Sequence, residues 1–340
     1  MSSKFTFIQR KQPGKVIDLS KCIADYLAAK RLERRSDRTI EAYAHTLNQF
    51  AKWLEQREDE VITLDVMRDY IHYLTFEKEK WDDHPTSKTG TRGLSARSIN
   101  NTIRNLRVFF NQLVRERVIS TSPMDGINYQ TDVKDTFEIY SDDDVIKLLG
   151  APNTRTFTGM RDYTMMLVLI DSLCRLKELT ELRVSDVNLK LRQITIRAEI
   201  AKTRTTRILP ISPKTAKAIE ALINYMNVGE DDYLWLTQFG ERYLADTFAK
   251  MLKNYGRKVG VKGVRVSPHT YRHYGAIKYL RSGGDPISLM RILGHTSLAM
   301  TEKYVRFTTS DLSEQHEKAS PVTNLLDSGN SRKSGQRKFK

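Results

Sequence analysis

The chain has 340 residues, with 56 Lys and Arg against 41 Asp and Glu, a net charge of +15 and a pI of about 9.6. This excess indicates a polyanionic partner. However, residues 1–15 and 326–340 each carry +4 of it, so the charge alone does not separate DNA binding from solubilising ends. The length predicts two domains, and the longest apolar run, around Met165 to Ile170, is too short for the roughly 20 residues that span a bilayer.

The cysteines and the N-terminus indicate a reducing, intracellular setting. Cys22 and Cys174 are the only two cysteines and lie far apart, which favours neither a disulfide framework nor a zinc site. The first 15 residues contain no apolar segment followed by small residues, so no secretory signal is predicted.

A small helical domain is predicted over 16–125, after a basic, flexible N-terminus at 1–15. Apolar residues at three- and four-residue spacings predict amphipathic helices that begin near Ser36, Thr63 and Ser95. Between the last two, the polar, glycine-containing stretch 81–94 is typical of a flexible loop. Two groups of arginines are predicted to lie on these helices, and such side chains can either contact a phosphate backbone or face solvent. The first arginine group, at the start of one helix, is Arg31, Arg34, Arg35 and Arg38, and the second, along another helix, is Arg92, Arg97, Arg104, Arg107, Arg115 and Arg117.

A second domain is predicted over 139–325, after a linker at 126–138 and before a basic, disordered tail at 326–340. It opens with a capping-box spacing, Ser141 to Asp144, and continues with a strongly apolar helix over 159–182. Alternating β-branched residues over 193–212 predict a β-hairpin with a basic turn. Further helices are predicted from Ser212, Leu244, Ser267 and Asp285, and a short C-terminal helix over 311–326, so the fold class is mainly α with a small β-sheet.

Six residues of the second domain form the candidate site: Arg175, Lys202, His269, Arg272, His295 and Tyr304. Guanidinium groups suit the negative charge that develops on phosphate oxygens, tyrosine can attack phosphorus, lysine can act as a general acid, and imidazole can donate hydrogen bonds or carry a proton. Each residue alone also has a structural interpretation, such as a helix salt bridge for Arg175 and Glu178. His273 is expected to pack or to hydrogen-bond internally, and no carboxylate cluster suited to Mg²⁺ stands out.

In this order the six residues resemble the tyrosine recombinase (phage integrase) family. The family's G-L-R-x-x-E segment corresponds to LCRLKE at 173–178, its hairpin lysine to Lys202, and its H-x-L-R-H motif to HTYRH at 269–273. Its L-G-H and T-x-x-Y motifs correspond to 293–295 and 301–304. The resemblance extends over nearly the whole chain, since 16–125 is similar to the family's core-binding domain. Cys174 departs from the usual leucine, but the arginine after it is present.

The resemblance implies a two-domain clamp around double-stranded DNA and a mechanism that uses neither ATP nor a metal. Tyr304 would attack one strand to form a 3′-phosphotyrosyl link, and Lys202 would protonate the leaving 5′-oxygen. Arg175 and Arg272 would bind the scissile phosphate, with His269 and His295 assisting in proton transfer and phosphate binding. Glu178 would support the site rather than react.

The resemblance also implies a homo-tetramer that exchanges strands between two paired sites in a prokaryotic cytoplasm, at the nucleoid. Integration, excision, transposition of a mobile element and dimer resolution all stay open, as do the target sequence and any accessory DNA-bending or directionality protein. Two other functions are considered: a type IB topoisomerase with the same chemistry, and a non-catalytic DNA-binding protein with the same fold. The complete set of six residues argues against the second.

Overall fold

The computed structural model describes residues 4–6, 16–57, 61–80, 90–131, 139–305, 316 and 320–322. The chain divides into two compact units, Met1–Asp135 and Thr136–Lys340. This boundary falls within the predicted linker at 126–138. Most of the predicted loop at 81–94, most of the predicted helix at 311–326 and the predicted tail at 326–340 lie outside the described residues.

The first unit consists of helices after a short two-stranded ribbon. Its elements are β1 (Lys4–Thr6), β2 (Val16–Asp18), α1 (Leu19–Leu32), α2 (Asp37–Leu54), α3 (Leu64–His72) and α4 (Ala96–Arg115). β1 pairs antiparallel with β2, so residues 4–6 of the predicted flexible N-terminus form a strand. Ser36, Thr63 and Ser95 accept amide hydrogen bonds at the starts of α2, α3 and α4, which confirms these three predicted helices.

The sequence analysis did not identify α1, because its inward-facing positions are only partly apolar. Leu19, Ile23 and Tyr26 are buried, but the next inward position is Lys30. Its ammonium group lies 5.1 Å from the Tyr26 ring centroid and 2.6 Å from a carboxylate oxygen of Glu33. A buried lysine therefore interrupts the apolar stripe from which helices are predicted.

Because α1 precedes α2, the arginines of the first group do not all lie at the start of one helix. Arg31 lies in the last turn of α1, Arg34 and Arg35 lie in the turn that follows, and Arg38 lies in α2, so the prediction of one shared helix start was wrong. Arg34 has φ 53°, outside helical geometry.

The second arginine group also extends beyond its predicted helix. Arg92 precedes α4 and forms an isolated β-bridge with Glu79, while Arg117 follows α4 with φ 57°. These two residues therefore lie in the segments that flank α4.

The described part of the predicted linker packs onto the first unit. Ile127 is buried in that unit's core. Asn100 donates to the Gln130 carbonyl at 2.9 Å and accepts from the Gln130 amide at 2.8 Å. These two bonds fix residue 130 against α4.

The second unit surrounds a three-stranded antiparallel sheet with helices. Its elements are α5 (Asp142–Leu149), α6 (Phe157–Ser172), α7 (Leu176–Thr180), β3 (Val187–Asn188), β4 (Gln193–Ile196), β5 (Arg207–Pro210), α8 (Pro213–Met226), α9 (Ala245–Lys258), α10 (Pro268–Arg281), α11 (Pro286–Leu293) and α12 (Ala299–Val305). The sheet order is β3-β4-β5, with Gln193 opposite Pro210 and Ile196 opposite Arg207. The predicted hairpin, the capping box of α5 and the helices starting at residues 212, 244, 267 and 285 are confirmed.

The core of the second unit lies around α6, which packs against α8 and α10. Met165, Met166, Val168 and Leu169 of α6 are all fully buried. Helix α10 approaches the end of α6 so closely that a Cβ added at Gly275 would lie 2.4 Å from Leu173 Cδ2. Glycine at this position therefore allows the two helices to meet.

Two predictions about this unit were wrong. The helix over 159–182 is interrupted after Ser172, because Leu173 adopts a left-handed conformation with φ 52° and ψ 25°. The first strand of the hairpin ends at Ile196, so Lys202 does not end it and lies instead in the connection to β5. Apolar periodicity did not show the interruption because Leu173 and Cys174 are themselves buried.

Candidate active site

The interruption after α6 determines the position of the first candidate arginine. Arg175 stands at the N-cap of α7, with φ −77° and ψ 150°, rather than near the end of a long helix. Its backbone amide donates to Glu178 Oε2 at 2.8 Å and its Nη1 donates to Oε1 at 3.0 Å. The carboxylate therefore holds both the main chain and the side chain of Arg175.

Glu178 also binds a second arginine, Arg207, which the sequence analysis missed. Arg207 is the first residue of β5, and its Nη1 and Nη2 lie 3.1 and 2.5 Å from the two carboxylate oxygens. Glu178 is 1% exposed. Burial alone would raise its pKa, but the hydrogen bonds from Arg207 and the Arg175 amide hold that pKa below its usual range. The only sequence signal for Arg207 was its place opposite the first hairpin strand.

The arginines are further held by main-chain carbonyls near the end of α11. Arg175 donates to the Gly294 carbonyl at 3.2 Å and Arg207 to the Ile292 carbonyl at 3.2 Å. Gly294 caps α11 with φ 60°, and a Cβ there would lie 3.2 Å from the Arg207 guanidinium. The turn therefore needs glycine for its backbone conformation and for the space beside Arg207.

Arg272 lies on α10 and is only 5% exposed. Its guanidinium donates to the carbonyl of Leu173, at the interruption after α6, and to that of Leu293 at 2.7 Å. Burial, together with the charge of Arg175, lowers the pKa of Arg272 to about 10. Within the described part of the chain it forms no ion pair with a carboxylate, and the charge of Glu178 only partly offsets the effect of burial on its pKa.

Tyr304 lies on α12 and is 1% exposed, packed among apolar residues of α10 and α11. Its hydroxyl lies 2.7 Å from Nδ1 of His273, whose Nε2 lies 2.7 Å from Nε2 of His269. Burial raises the pKa of Tyr304 to about 12, against the opposing effect of the Arg272 and Arg175 charges. The phenol is therefore protonated at neutral pH.

His295 lies beside the same tyrosine. Its ring is nearly parallel to that of Tyr304, with centroids 6.3 Å apart, and its Nδ1 lies 2.9 Å from Thr301 Oγ1. Burial and the charge of Arg272 lower its pKa to about 4. It is therefore neutral in this arrangement and can donate one hydrogen bond.

His273 is the second residue of the site that the sequence analysis missed. The expectation that it packs or hydrogen-bonds internally is confirmed, since it is 5% exposed and bonded through both ring nitrogens. Its partners, however, are the candidate nucleophile Tyr304 and the candidate histidine His269. Its position four residues after His269 on one helix face was the available signal.

Lys202 is the one candidate for which the described residues show no contact with this cluster. It is exposed, in the connection 197–206, and within the described residues it forms no hydrogen bond or ion pair with the other five candidates. Arg197 anchors the start of this connection through Asp186 at 2.8 Å and the Glu181 carbonyl at 3.0 Å. The described part of the chain contains no group of three or more His, Cys, Asp or Glu side chains that could hold a metal ion.

Two family models match the chain. The phage integrase family matches residues 139–310, and the phage integrase N-terminal SAM-like domain matches residues 23–120. The chain belongs to the phage integrase family. The fold class expected from the sequence, a mainly α, two-domain tyrosine recombinase architecture with a small sheet, is thereby confirmed. None of the described helices of this integrase-family protein has the length and apolar character needed to cross a bilayer.

Several relatives match most of this phage integrase family member. Tyrosine recombinase XerD of Pseudomonas putida is 30% identical over 305 residues, which cover 88% of this chain and 97% of the relative. XerD of Listeria monocytogenes is 27% identical over 307 residues, which cover 88% of this chain and 98% of the relative.

Solved structures share the fold of this phage integrase family member. The Tn1549 transposon integrase in complex with transposon right end DNA gives a TM-score of 0.66 at 16% identity, covering 87% of this chain and 99% of that one. XerH site-specific recombinase bound to a palindromic difH substrate gives 0.64 at 18% identity, covering 90% and 84%.

Proposed function

We propose that this protein is a site-specific DNA recombinase that cleaves and rejoins strands through a covalent 3′-phosphotyrosyl link on Tyr304. Membership of the phage integrase family supports this enzyme class. The observation that carries the proposal is Arg272, a buried cation that forms no ion pair with any carboxylate of the described residues and lies in the unit that buries Tyr304. A scissile phosphate would supply the missing negative charge at the point where the hydroxyl attacks.

The proposed roles follow from the contacts of each side chain. Arg272 and Arg175 bind the non-bridging oxygens, with Glu178 holding Arg175 in orientation at 3.0 Å. His295 donates a hydrogen bond to the phosphate. Lys202 is exposed on its connection and is assigned as the general acid for the leaving 5′-oxygen.

The proposed partner is double-stranded DNA that carries specific sites. In this proposal both units bind the DNA, and four protomers exchange strands between two paired sites. The names of relatives support the DNA partner, since the Tn1549 integrase and XerH were solved with DNA. We also propose that the protein acts in the cytoplasm of a prokaryotic cell, at the nucleoid, because the matching relatives are bacterial recombinases.

The two alternatives are less favoured. A type IB topoisomerase would relax supercoils without exchanging partners, and the relatives that match nearly end to end carry recombinase names. A non-catalytic DNA-binding protein would have no need for a tyrosine hydroxyl bonded to a histidine at 2.7 Å. An assay with two duplexes of different length, each with its own label, distinguishes recombination from both alternatives, because only a recombinase joins a strand of one duplex to a strand of the other.

Covalent trapping tests the proposal. A pool of duplexes with randomised arms is first enriched for binding to the Tyr304→Phe variant. Selected duplexes are then nicked beside the cleavage position, so that the freed fragment diffuses away and the strand attached to protein accumulates. The label is placed on the strand that keeps the 3′-phosphate, and the buffer contains a metal chelator.

The expected result is a denaturation-resistant adduct with the wild type and none with Tyr304→Phe. Tyr274→Phe is the matched control, because it also removes a tyrosine hydroxyl. The Tyr274 hydroxyl lies on α10 and donates to Asp142 at 2.8 Å, whereas the Tyr304 hydroxyl bonds a histidine. This control should form the adduct. An adduct with Tyr304→Phe, or none with the wild type on selected duplexes, would contradict the proposal.

A further inference from the structure

A continuous chain of hydrogen bonds connects Tyr304 to an exposed histidine. The Tyr304 hydroxyl lies 2.7 Å from His273 Nδ1, and His273 Nε2 lies 2.7 Å from His269 Nε2. His273 is buried, whereas His269 is exposed. The chain therefore leads from the interior of the unit to its surface through a single imidazole ring.

If the Tyr304 hydroxyl donates to His273, the number of protons on the two imidazole rings determines which atom donates in each hydrogen bond. A neutral imidazole carries one proton, so a ring that accepts at Nδ1 must carry its proton on Nε2. His273 then donates to Nε2 of His269, which must hold its own proton on Nδ1. Each bond in the chain therefore has one donor and one acceptor, and both point away from the tyrosine.

Burial and the surrounding cations prevent His273 from keeping a second proton. The groups that act on it are His269, Lys303, Arg272 and His295, all of them cationic when charged. Burial, followed by these neighbours, lowers the pKa of His273 to about 3. A ring in this environment accepts a proton only if it releases another at the same time.

We propose that His273 relays the proton of Tyr304 to His269 when the tyrosine attacks DNA. This inference rests on the proposed function, since it describes that reaction's first step. The Tyr304 O–H bond breaks as the Oη–P bond forms, and the proton passes to His273 Nδ1. The Nε2 proton of His273 passes to His269 Nε2, while the 5′-oxygen leaves with a proton from Lys202.

The relay leaves His273 neutral, as the other tautomer, and puts the positive charge on His269. Burial and nearby cations lower the pKa of His269 too, but His269 is the exposed member, so water can solvate this charge better than it could at His273. Rejoining reverses each transfer, because His269 returns its proton through His273 to the tyrosine oxygen as the 5′-hydroxyl attacks. His273 therefore contacts the reacting oxygen in both directions.

The test compares single-turnover cleavage of the nicked duplex by the wild type and by His273→Asn. Asparagine can still bond the Tyr304 hydroxyl but cannot reach His269. Loss of general-base catalysis should slow cleavage by about 100-fold or more. Tyr274→Phe, a change at the adjacent position of the same helix, should cleave at the wild-type rate.

A second arm separates a relay from a merely structural role. Tyr304 is replaced by a ring-fluorinated tyrosine, whose hydroxyl is more acidic and depends less on a base. The difference between wild type and His273→Asn should then shrink by about tenfold or more, which corresponds to about 1.4 kcal/mol. DNA binding and the urea midpoint of His273→Asn are measured to confirm that it folds.

Each outcome is decisive. Cleavage by His273→Asn within a few-fold of the wild type, or faster, overturns the relay and leaves the proposed function intact. Slow cleavage that fluorination does not rescue also overturns it, since a structural defect does not depend on the acidity of the nucleophile. Failure of the wild type to form the adduct overturns the proposed function, and the relay with it.

Discussion

Replacing Glu178 with glutamine tests whether one buried carboxylate organises the arginines. The substitution Glu178→Gln keeps the shape of the side chain and removes its charge. Glu178 accepts from the Arg175 amide and from the guanidinium groups of Arg175 and Arg207, all within 3.1 Å. The glutamine NH₂ group would face at least one of these donors.

The structure sets the expected magnitude. Removing one partner of a buried ion pair costs about 3–5 kcal/mol. The side chains of Arg175 and Arg207 are 23% and 11% exposed, so water can partly solvate them after the substitution. We therefore expect the lower end, a loss of about 3 kcal/mol in the free energy of unfolding of the second unit.

The stabilisation that Glu178 provides should decrease in acid. The folded-state pKa of Glu178 lies below its usual value, so its contribution is complete above the unfolded pKa of about 4.3. That contribution is lost as the pH falls through the folded value. The difference in stability between wild type and Glu178→Gln should therefore be constant near neutral pH and shrink in acid.

Tryptophan fluorescence isolates the unit concerned. Trp235 is fully buried in the core of the second unit, and Trp53→Phe and Trp81→Phe leave it as the only tryptophan. Urea unfolding is followed in this background. Glu220→Gln is the control, because Glu220 is exposed on α8. A loss under 1 kcal/mol for Glu178→Gln, or an equal loss in the control, would refute the reasoning.

Three further predictions concern other parts of the second unit. The pKa values of His273 and His295 are about 3 and about 4 in the folded protein, whereas an unfolded histidine titrates near 6.5. Below about pH 6.5 both residues gain a proton on unfolding, so the free energy of unfolding falls as the pH falls. The urea midpoint should therefore drop between about pH 7 and 5, and should drop less in His273→Asn. Gly275→Ala places a Cβ 2.4 Å from Leu173 Cδ2 and should cost about 1–3 kcal/mol in urea unfolding, whereas an unchanged midpoint would show that α10 can shift. Lys202→Ala should slow cleavage of a normal duplex but not of one with sulfur as the bridging 5′ atom, since a thiolate leaves without a proton; equal slowing of both would exclude lysine as the acid.

The sequence predicted the fold correctly where capping residues and apolar periodicity mark the ends and the buried faces of the elements. Helices α2, α4 and α10 each begin one residue after a serine that caps them, and the hairpin follows from alternation of β-branched residues. The interruption after α6 was not predictable in this way. Leu173 is 2% exposed and apolar, so only its backbone conformation distinguishes it from a helical residue.

The site was predictable only to the extent that its residues lie in ordered motifs. The sequence placed His269 and Arg272 on one helix, and both lie on α10. Arg207 joins the site through a contact at a separation of 29 residues, which no local pattern encodes, and the bond from His273 to Tyr304 spans 31 residues, although the spacing of four from His269 is local. Lys202 shows the opposite case, since a motif identifies it but no contact of the described residues brings it to the cluster.

Arg175, Arg207 and Arg272 all donate to main-chain carbonyls near the end of α11: those of Gly294, Ile292 and Leu293. Every amino acid supplies a carbonyl, so these acceptors persist when side chains diverge at 292 and 293. Inserting or deleting one residue there would displace all three acceptors at once. The three acceptors therefore constrain the chain length of this segment rather than the identity of its side chains, and a chimera that exchanges α11 must match it residue for residue.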